Sequence, residues 1–157
     1  MITIRVFALL SLLFSTVVLG NDTPKRIALV IGNSDYDASI GKLKNPTNDA
    51  EDIAIKLKNL NFNVTLLKNA TRRDMSDAIS GFGEKLKQKD VVGLFYFAGH
   101  GIQVGGSNYL IPIRANIANE ADIEYESVAA DRVLTQMTNA VFGVNYLDRF
   151  ASIMMAD

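Results

Sequence analysis

The stretch Val91-Val92-Gly93-Leu94-Phe95-Tyr96-Phe97-Ala98, closed by Gly99-His100-Gly101, limits the folds open to this chain more than any other. Its residues are apolar or Gly, with β-branched and aromatic types prominent. Such a run, ended by glycines, reads as a strand buried on both faces, the kind found in parallel sheets. It ends at the single histidine of the sequence. Glycines on both sides let the backbone turn sharply and leave the imidazole uncrowded. In open α/β sheets, ligands bind just beyond the carboxyl ends of the strands. The one side-chain type that ordinarily titrates near neutral pH therefore stands where such a fold places a site.

The rest of the chain agrees with that sheet. Arg26-Ile27-Ala28-Leu29-Val30-Ile31-Gly32 reads as a first buried strand, and Asn33 to Pro46 as a loop rich in turn formers. Ala50, Ile53, Ala54, Leu57 and Leu60 recur at helical spacing. Pro46 fits the helix start, with Asn45, Thr47 or Asn48 as cap, and Asn48 with Glu51 has the spacing of a capping box. Phe62, Val64, Leu66 and Leu67 give a second strand. Thr71 and Asp74 open another helix, with Met75, Ala78, Ile79, Phe82 and Leu86 as its buried face. Gly81 and Gly83 weaken that helix by about 1 kcal/mol each.

After the central strand, Gly101 to Pro112 alternates turn residues and apolars, the pattern of a hairpin. Asn116 to Tyr125 reads as an acidic loop. Val128 to Met137 reads as a short helix with Val133, Leu134 and Met137 inward. Asn139–Tyr146 is a candidate fourth buried strand interrupted by Asn139, Gly143 and Asn145, and Asp148 to Asp157 has no clear period. Strand, helix, strand, helix, strand means βαβ units: an α/β fold with a mostly parallel sheet and helices on both faces. With three or four strands, the pattern is that of the front part of a larger domain.

Met1 to Gly20 stands apart. Arg5 supplies a basic start, Val6 to Leu19 is apolar apart from Ser11, Ser15 and Thr16, and Val18 and Gly20 are small. That is the layout of a secretory signal peptide, with a non-cleaved anchor as the alternative. Cleavage before Asn21, export to a periplasmic or extracellular space and no membrane span thereafter are the expectations. Residues 21–157 then form one domain.

A net charge of −1 over 157 residues argues against a nucleic-acid partner. The sequence has no cysteine, so these residues hold no disulfide, thiolate metal site or thiol nucleophile. One histidine makes a zinc site unfavourable, and neither metal nor cofactor is expected.

His100 is the first candidate site residue, as a general base. The N–H of Gly101 is free to face a developing oxyanion. No Gly-x-Ser-x-Gly elbow is present, and Gly101–Gly106 does not match a nucleotide loop. Asp49, in the first turn of the first helix, reads on its own as a carboxylate favoured by the helix dipole. Asp35, Tyr36 and Asp37 read as turn chemistry.

Four segments in order resemble the caspase-like cysteine peptidases, nearest to the bacterial metacaspase and paracaspase group. They are Ile27–Asn33, Leu43–Ala50 (Leu-Lys-Asn-Pro-Thr-Asn-Asp-Ala), Phe95–Gln103 and Asn108–Pro112. The resemblance runs from about Lys25 to Met137. It implies a three-layer α/β sandwich and endopeptidase cleavage of a peptide or protein substrate after Arg or Lys. It also implies that His100 assists a thiolate, that Gly101 supplies an oxyanion N–H, and that Asp49 lines the pocket for the basic side chain. The family's cysteine follows the next buried strand in a Leu-Asp-x-Cys sequence. The nearest analogue, Leu147-Asp148-Arg149-Phe150, puts Phe150 there, so the later register is poor and the domain incomplete at its C-terminal end. The expectation is a chain that does not hydrolyse peptides as it stands. The rival readings are a pseudopeptidase that binds peptides and, less favoured, a hydrolase with a serine nucleophile.

Overall fold

A computed structural model of the protein describes residues 24–142 and 151–156. Its main sheet has the strand order β2-β1-β3-β7, from β1 (Lys25–Gly32), β2 (Phe62–Lys68), β3 (Val91–Ala98) and β7 (Ala151–Ala156). All pairings are parallel, with Ile27 opposite Gly93, Gly32 opposite Ala98, and Ala98 opposite Ala156. Helices α1 (Pro46–Asn59) and α2 (Arg72–Leu86) make the two crossovers that join β1 to β2 and β2 to β3. From β1 the chain steps one way to β2 and then back past β1 to β3. Right-handed crossovers in opposite directions put their helices on opposite faces.

The burial pattern follows from this. On one face Leu29, Ile31, Phe95 and Phe97 meet Met75, Ile79, Phe82 and Leu86 of α2, together with Val133 and Met137 of α4 (Ala130–Phe142). On the other, Ala28, Val30, Tyr96 and Ala98 meet Ala50 and Leu57 of α1. The result is the expected three-layer α/β sandwich. Because both faces are covered, β1 and β3 read as nearly continuous apolar runs.

Thr71 and Asp74 form the anticipated capping box at the start of α2. The start of α1 differs from the expectation. Asn45 is the N-cap and makes no side-chain cap, so Asn48 and Glu51 are not its capping box. Instead Ser34, from the loop after β1, accepts from Thr47 N–H at 3.1 Å. The cap is thus non-local, and it ties that loop to the helix.

The hairpin is β4 (Gly101–Val104) and β5 (Ser107–Leu110), antiparallel and closed by Gly105-Gly106. β6 (Val128–Ala129) pairs with β5 and completes a three-stranded sheet in which β4 is an edge. The acidic segment read as a loop contains α3 (Glu120–Glu126), started by a capping box of Asn119 and Asp122. The next helix begins at Ala130 rather than Val128, because Val128 and Ala129 are held by β5. Val133 and Met137, four apart, share its buried face. Leu134 is turned about 100° away and is 47% exposed, not inward as expected.

α4 runs through Asn139 to Phe142, so the strand expected over Asn139–Tyr146 is not there; residues 143–146 lie outside the described residues. The fourth strand is instead Ala151–Ala156, inside the segment that showed no period. A short strand beside β3 needs no period, since both of its faces can be covered.

Candidate active site

The chain leaves β1 toward β2 on one side and leaves β3 toward β7 on the other. The carboxyl ends of β1 and β3 therefore flank the topological switch point, where open α/β sheets bind ligands. The loop after β1 and the Gly99-His100-Gly101 turn after β3 meet there. Asn33 N–H donates to Ala98 C=O at 2.9 Å and starts that junction.

His100 is held from three directions. Its backbone N–H donates to the Tyr36 hydroxyl at 3.0 Å. The Tyr36 ring stands edge-on to the imidazole, with centroids 4.7 Å apart. Its Nε2 lies 2.8 Å from the carbonyl oxygen of Gly41. A carbonyl only accepts, so Nε2 carries the proton in this bond and the lone pair of the neutral ring is on Nδ1. Gly41 has φ of 97°, a conformation that glycine adopts at no steric cost, and it closes a turn whose N–H bonds to Asp37 C=O at 2.9 Å. A backbone carbonyl thus orients the imidazole, as a carboxylate or carbonyl often does for a histidine.

Tyr36 is buried (1% exposed). Its hydroxyl donates to Ile111 C=O at 3.0 Å while accepting from His100 N–H. Ile111 N–H in turn donates to His100 C=O at 3.0 Å. His100 and Ile111 thus begin the β4–β5 ladder, with the tyrosine hydroxyl inserted in place of one of the two bonds. Burial pushes the Tyr36 phenol up to about 12, so it stays protonated and remains a donor over the ordinary pH range. Gly99 allows the contact: a Cβ there would lie 2.5 Å from the Tyr36 hydroxyl and 2.9 Å from the Phe97 ring.

Beneath this lies Asn33, fully buried. Its Oδ1 accepts from Ala70 N–H at 2.8 Å, and its Nδ2 donates to Ile111 C=O at 3.3 Å. Asn69 holds the other side of the loop, its Oδ1 accepting from Ser34 and Asp35 N–H at 2.9 and 3.0 Å. A buried amide must find partners, and these fix the loops after β1, β2 and β5 against one another.

Asp49 is half-buried in the first turn of α1, at the same edge of the sheet. Its charge, after burial, helps push up the phenol of Tyr96, which lies on the face of β3 that α1 covers. Among the described residues it makes no ion pair. The structure thus puts His100, Gly101 and Asp49 around one switch point, with Asp49 on the α1 side. Phe150 lies outside the described residues.

The caspase domain model matches residues 25–142. The chain belongs to the caspase family. Its fold is the caspase fold: the crystal structure of the Drosophila initiator caspase Dronc superposes with a TM-score of 0.63 at 11% identity, over 85% of this chain and 48% of that one. A crystal structure of the Geobacter sulfurreducens protein GSU0716 gives a TM-score of 0.59 at 25% identity, over 83% of this chain and 50% of that one. In sequence, this caspase-family chain is similar to the human mucosa-associated lymphoid tissue lymphoma translocation protein 1, 37% identical over 90 residues. That match covers 57% of this chain and 11% of the relative, and the mouse homolog gives the same figures. The chain thus spans about a tenth of these curated relatives and about half of the solved structures.

Sequence reasoning missed Tyr36, Gly41 and Asn33. In the sequence all three read as turn chemistry of the Asn33–Pro46 loop. An aromatic between two aspartates was the available signal for Tyr36. Nothing local marks the carbonyl of Gly41 as the partner of a histidine 59 positions away.

Proposed function

We propose that this caspase-family domain holds a peptide across His100 and Gly101 by directing a basic side chain at Asp49. The 157 residues in hand do not hydrolyse that peptide through a thiolate, since none is present. The observation that supports a peptidase-type site is the fixed imidazole. The bond from Nε2 to Gly41 leaves Nδ1 as the base, and the Gly101 N–H follows in the next residue of the chain. A positioned base activates a nucleophile, and a backbone N–H stabilises the oxyanion that forms when a carbonyl is attacked. A half-buried carboxylate without a cationic partner favours Arg or Lys over Asp or Glu in a bound peptide.

A serine nucleophile has less to support it. The hydroxyl touching His100 is that of Tyr36, directed at the backbone, and Ser34 is engaged by Thr47. Among the described residues no group of three or more acidic or histidine side chains is set to hold a metal, and no helix is long and apolar enough to cross a membrane.

The test measures both binding and turnover by the 157-residue chain on fluorescent peptides ending in Arg, Lys or Asp, beside Asp49→Ala and His100→Ala. Binding that favours Arg and Lys, is evened out by Asp49→Ala and comes without turnover is the expected result. Equal binding of acidic and basic peptides, or turnover abolished by His100→Ala, overturns the reading.

A further inference from the structure

Beyond Gly101, the outer edge of β4 has no part in the site described above. The bond from Ile111 N–H to His100 C=O makes these two a hydrogen-bonded pair of the antiparallel ladder. Pairs alternate along such a ladder, so Gly101–Leu110 and Gln103–Asn108 are the non-hydrogen-bonded pairs. The N–H and C=O of Gly101 and Gln103 therefore face away from β5. β4 is an edge strand, and Gly101, Ile102 and Gln103 are exposed. Edge strands are commonly protected by charge, proline or a bulge. The sequence Gly-Ile-Gln-Val has neither charge nor proline, pairs with β5 without a bulge, and leaves Ile102 42% exposed.

The geometry points to this edge as the place where an extended segment of the bound peptide adds as a further strand, bonded through its main chain to Gly101 and Gln103. The inference rests on the peptide reading above and deepens it. Two observations select a peptide as the occupant. The edge begins one residue after His100, so a peptide carbonyl that reaches Gly101 N–H has Gln103 two residues further on, about 7 Å along the strand. Beside the edge, on the face carrying Val104 and Tyr109, a cavity of about 420 Å³ opens against α3. Its walls combine Val104, Tyr109 and Ile123 with Glu120 and Glu124. Neither glutamate is in an ion pair among the described residues. An apolar stem with a positive end, as in Lys or Arg, matches such walls. Main-chain pairing with pockets for alternate side chains is a recurrent way of binding extended peptides.

Gln103→Pro tests the inference with little disturbance, because it removes an N–H that the β4–β5 ladder does not use and crowds the free edge. Proline is tolerated on edge strands for that reason. Arg-ended peptides should bind Gln103→Pro at least tenfold more weakly than the parent, while Gln103→Ala, which keeps the N–H, stays within about twofold. Independently of any variant, a scan of N-methylated peptides on the unaltered protein should find a position where methylation costs about tenfold. If the unaltered protein favours basic peptides but neither Gln103→Pro nor any N-methylation weakens binding, the strand-addition inference alone is overturned. If the protein does not favour basic peptides, the peptide reading beneath it is overturned as well.

Discussion

Replacing Tyr36 by Phe removes one oxygen atom and tests how the histidine is held. The ring, and with it the edge-on contact to His100, is retained. Two hydrogen bonds are lost, one from His100 N–H and one to Ile111 C=O. Ile111 C=O keeps its bond from Asn33; His100 N–H is left without its partner. An ordinary hydrogen bond contributes about 1 kcal/mol net, and an unpaired buried donor costs about 1–3 kcal/mol. The expected destabilisation is thus about 2–3 kcal/mol. With a urea slope of about 2 kcal/mol per M, the unfolding midpoint should fall by roughly 1 M at constant slope. The pH dependence provides a second readout. The folded phenol titrates at about 12 against an ordinary 10.0. A raised value means that the stabilisation is fully present below pH 10 and is lost as the pH rises through 12. At about 1.4 kcal/mol per tenfold, the parent should lose roughly 2–3 kcal/mol over that interval. Tyr36→Phe should lose much less, the remainder coming from Tyr96, which is also raised by burial. A midpoint equal to that of the parent at pH 7, together with an unchanged alkaline fall, would refute the bridging role of the hydroxyl.

Gly99→Ala should destabilise the fold by more than about 2 kcal/mol, because φ of 155° strains a residue with a Cβ and that Cβ collides with Tyr36 and Phe97; calorimetry checks this, and a loss below 0.5 kcal/mol contradicts it. The Asp74 carboxylate is held below its usual range by the Thr71 hydroxyl and N–H. Its contribution is present above the ordinary value of 3.8 and is lost as the pH falls through the lower folded value. Thermal unfolding of Asp74→Asn should therefore change less than that of the parent across the acid range, and equal acid sensitivity counts against the cap. We also propose export: protein recovered from outside the cytoplasm should begin near Asn21, and recovery only with Met1 intact in the cytoplasm contradicts it.

The apolar runs of β1 and β3 announced a buried parallel sheet because both faces of each strand are covered, and Thr71 with Asp74 announced α2 because its cap is local. Where the determining contact is distant, the sequence was silent. The α1 cap comes from Ser34, thirteen positions from Thr47, and the Asn48–Glu51 spacing mimicked a box that does not form. Leu134 looked inward because it neighbours Val133, yet the partners of α4 cover only the Val133–Met137 face. The candidate residues His100, Gly101 and Asp49 were legible through motif resemblance. The reason for the histidine's orientation was not, since a carbonyl carries no mark of residue type. The fourth strand, Ala151–Ala156, escaped notice for a similar reason: so short a strand shows no period.

Gly41 fixes the imidazole of His100 with its proton on Nε2 and its basic lone pair on Nδ1. His100 is the only histidine in the sequence, so one imidazole spin system reports on the site without ambiguity. The deciding measurement is a long-range 15N–1H correlation spectrum of the labelled chain at pH 9, where an imidazole is ordinarily neutral. Nε2 should resonate as the protonated, pyrrole-type nitrogen and Nδ1 as the pyridine-type one, and Gly41→Ala should blur that distinction toward exchange between the two forms. A proton on Nδ1, or a parent spectrum already averaged between tautomers, would contradict the account.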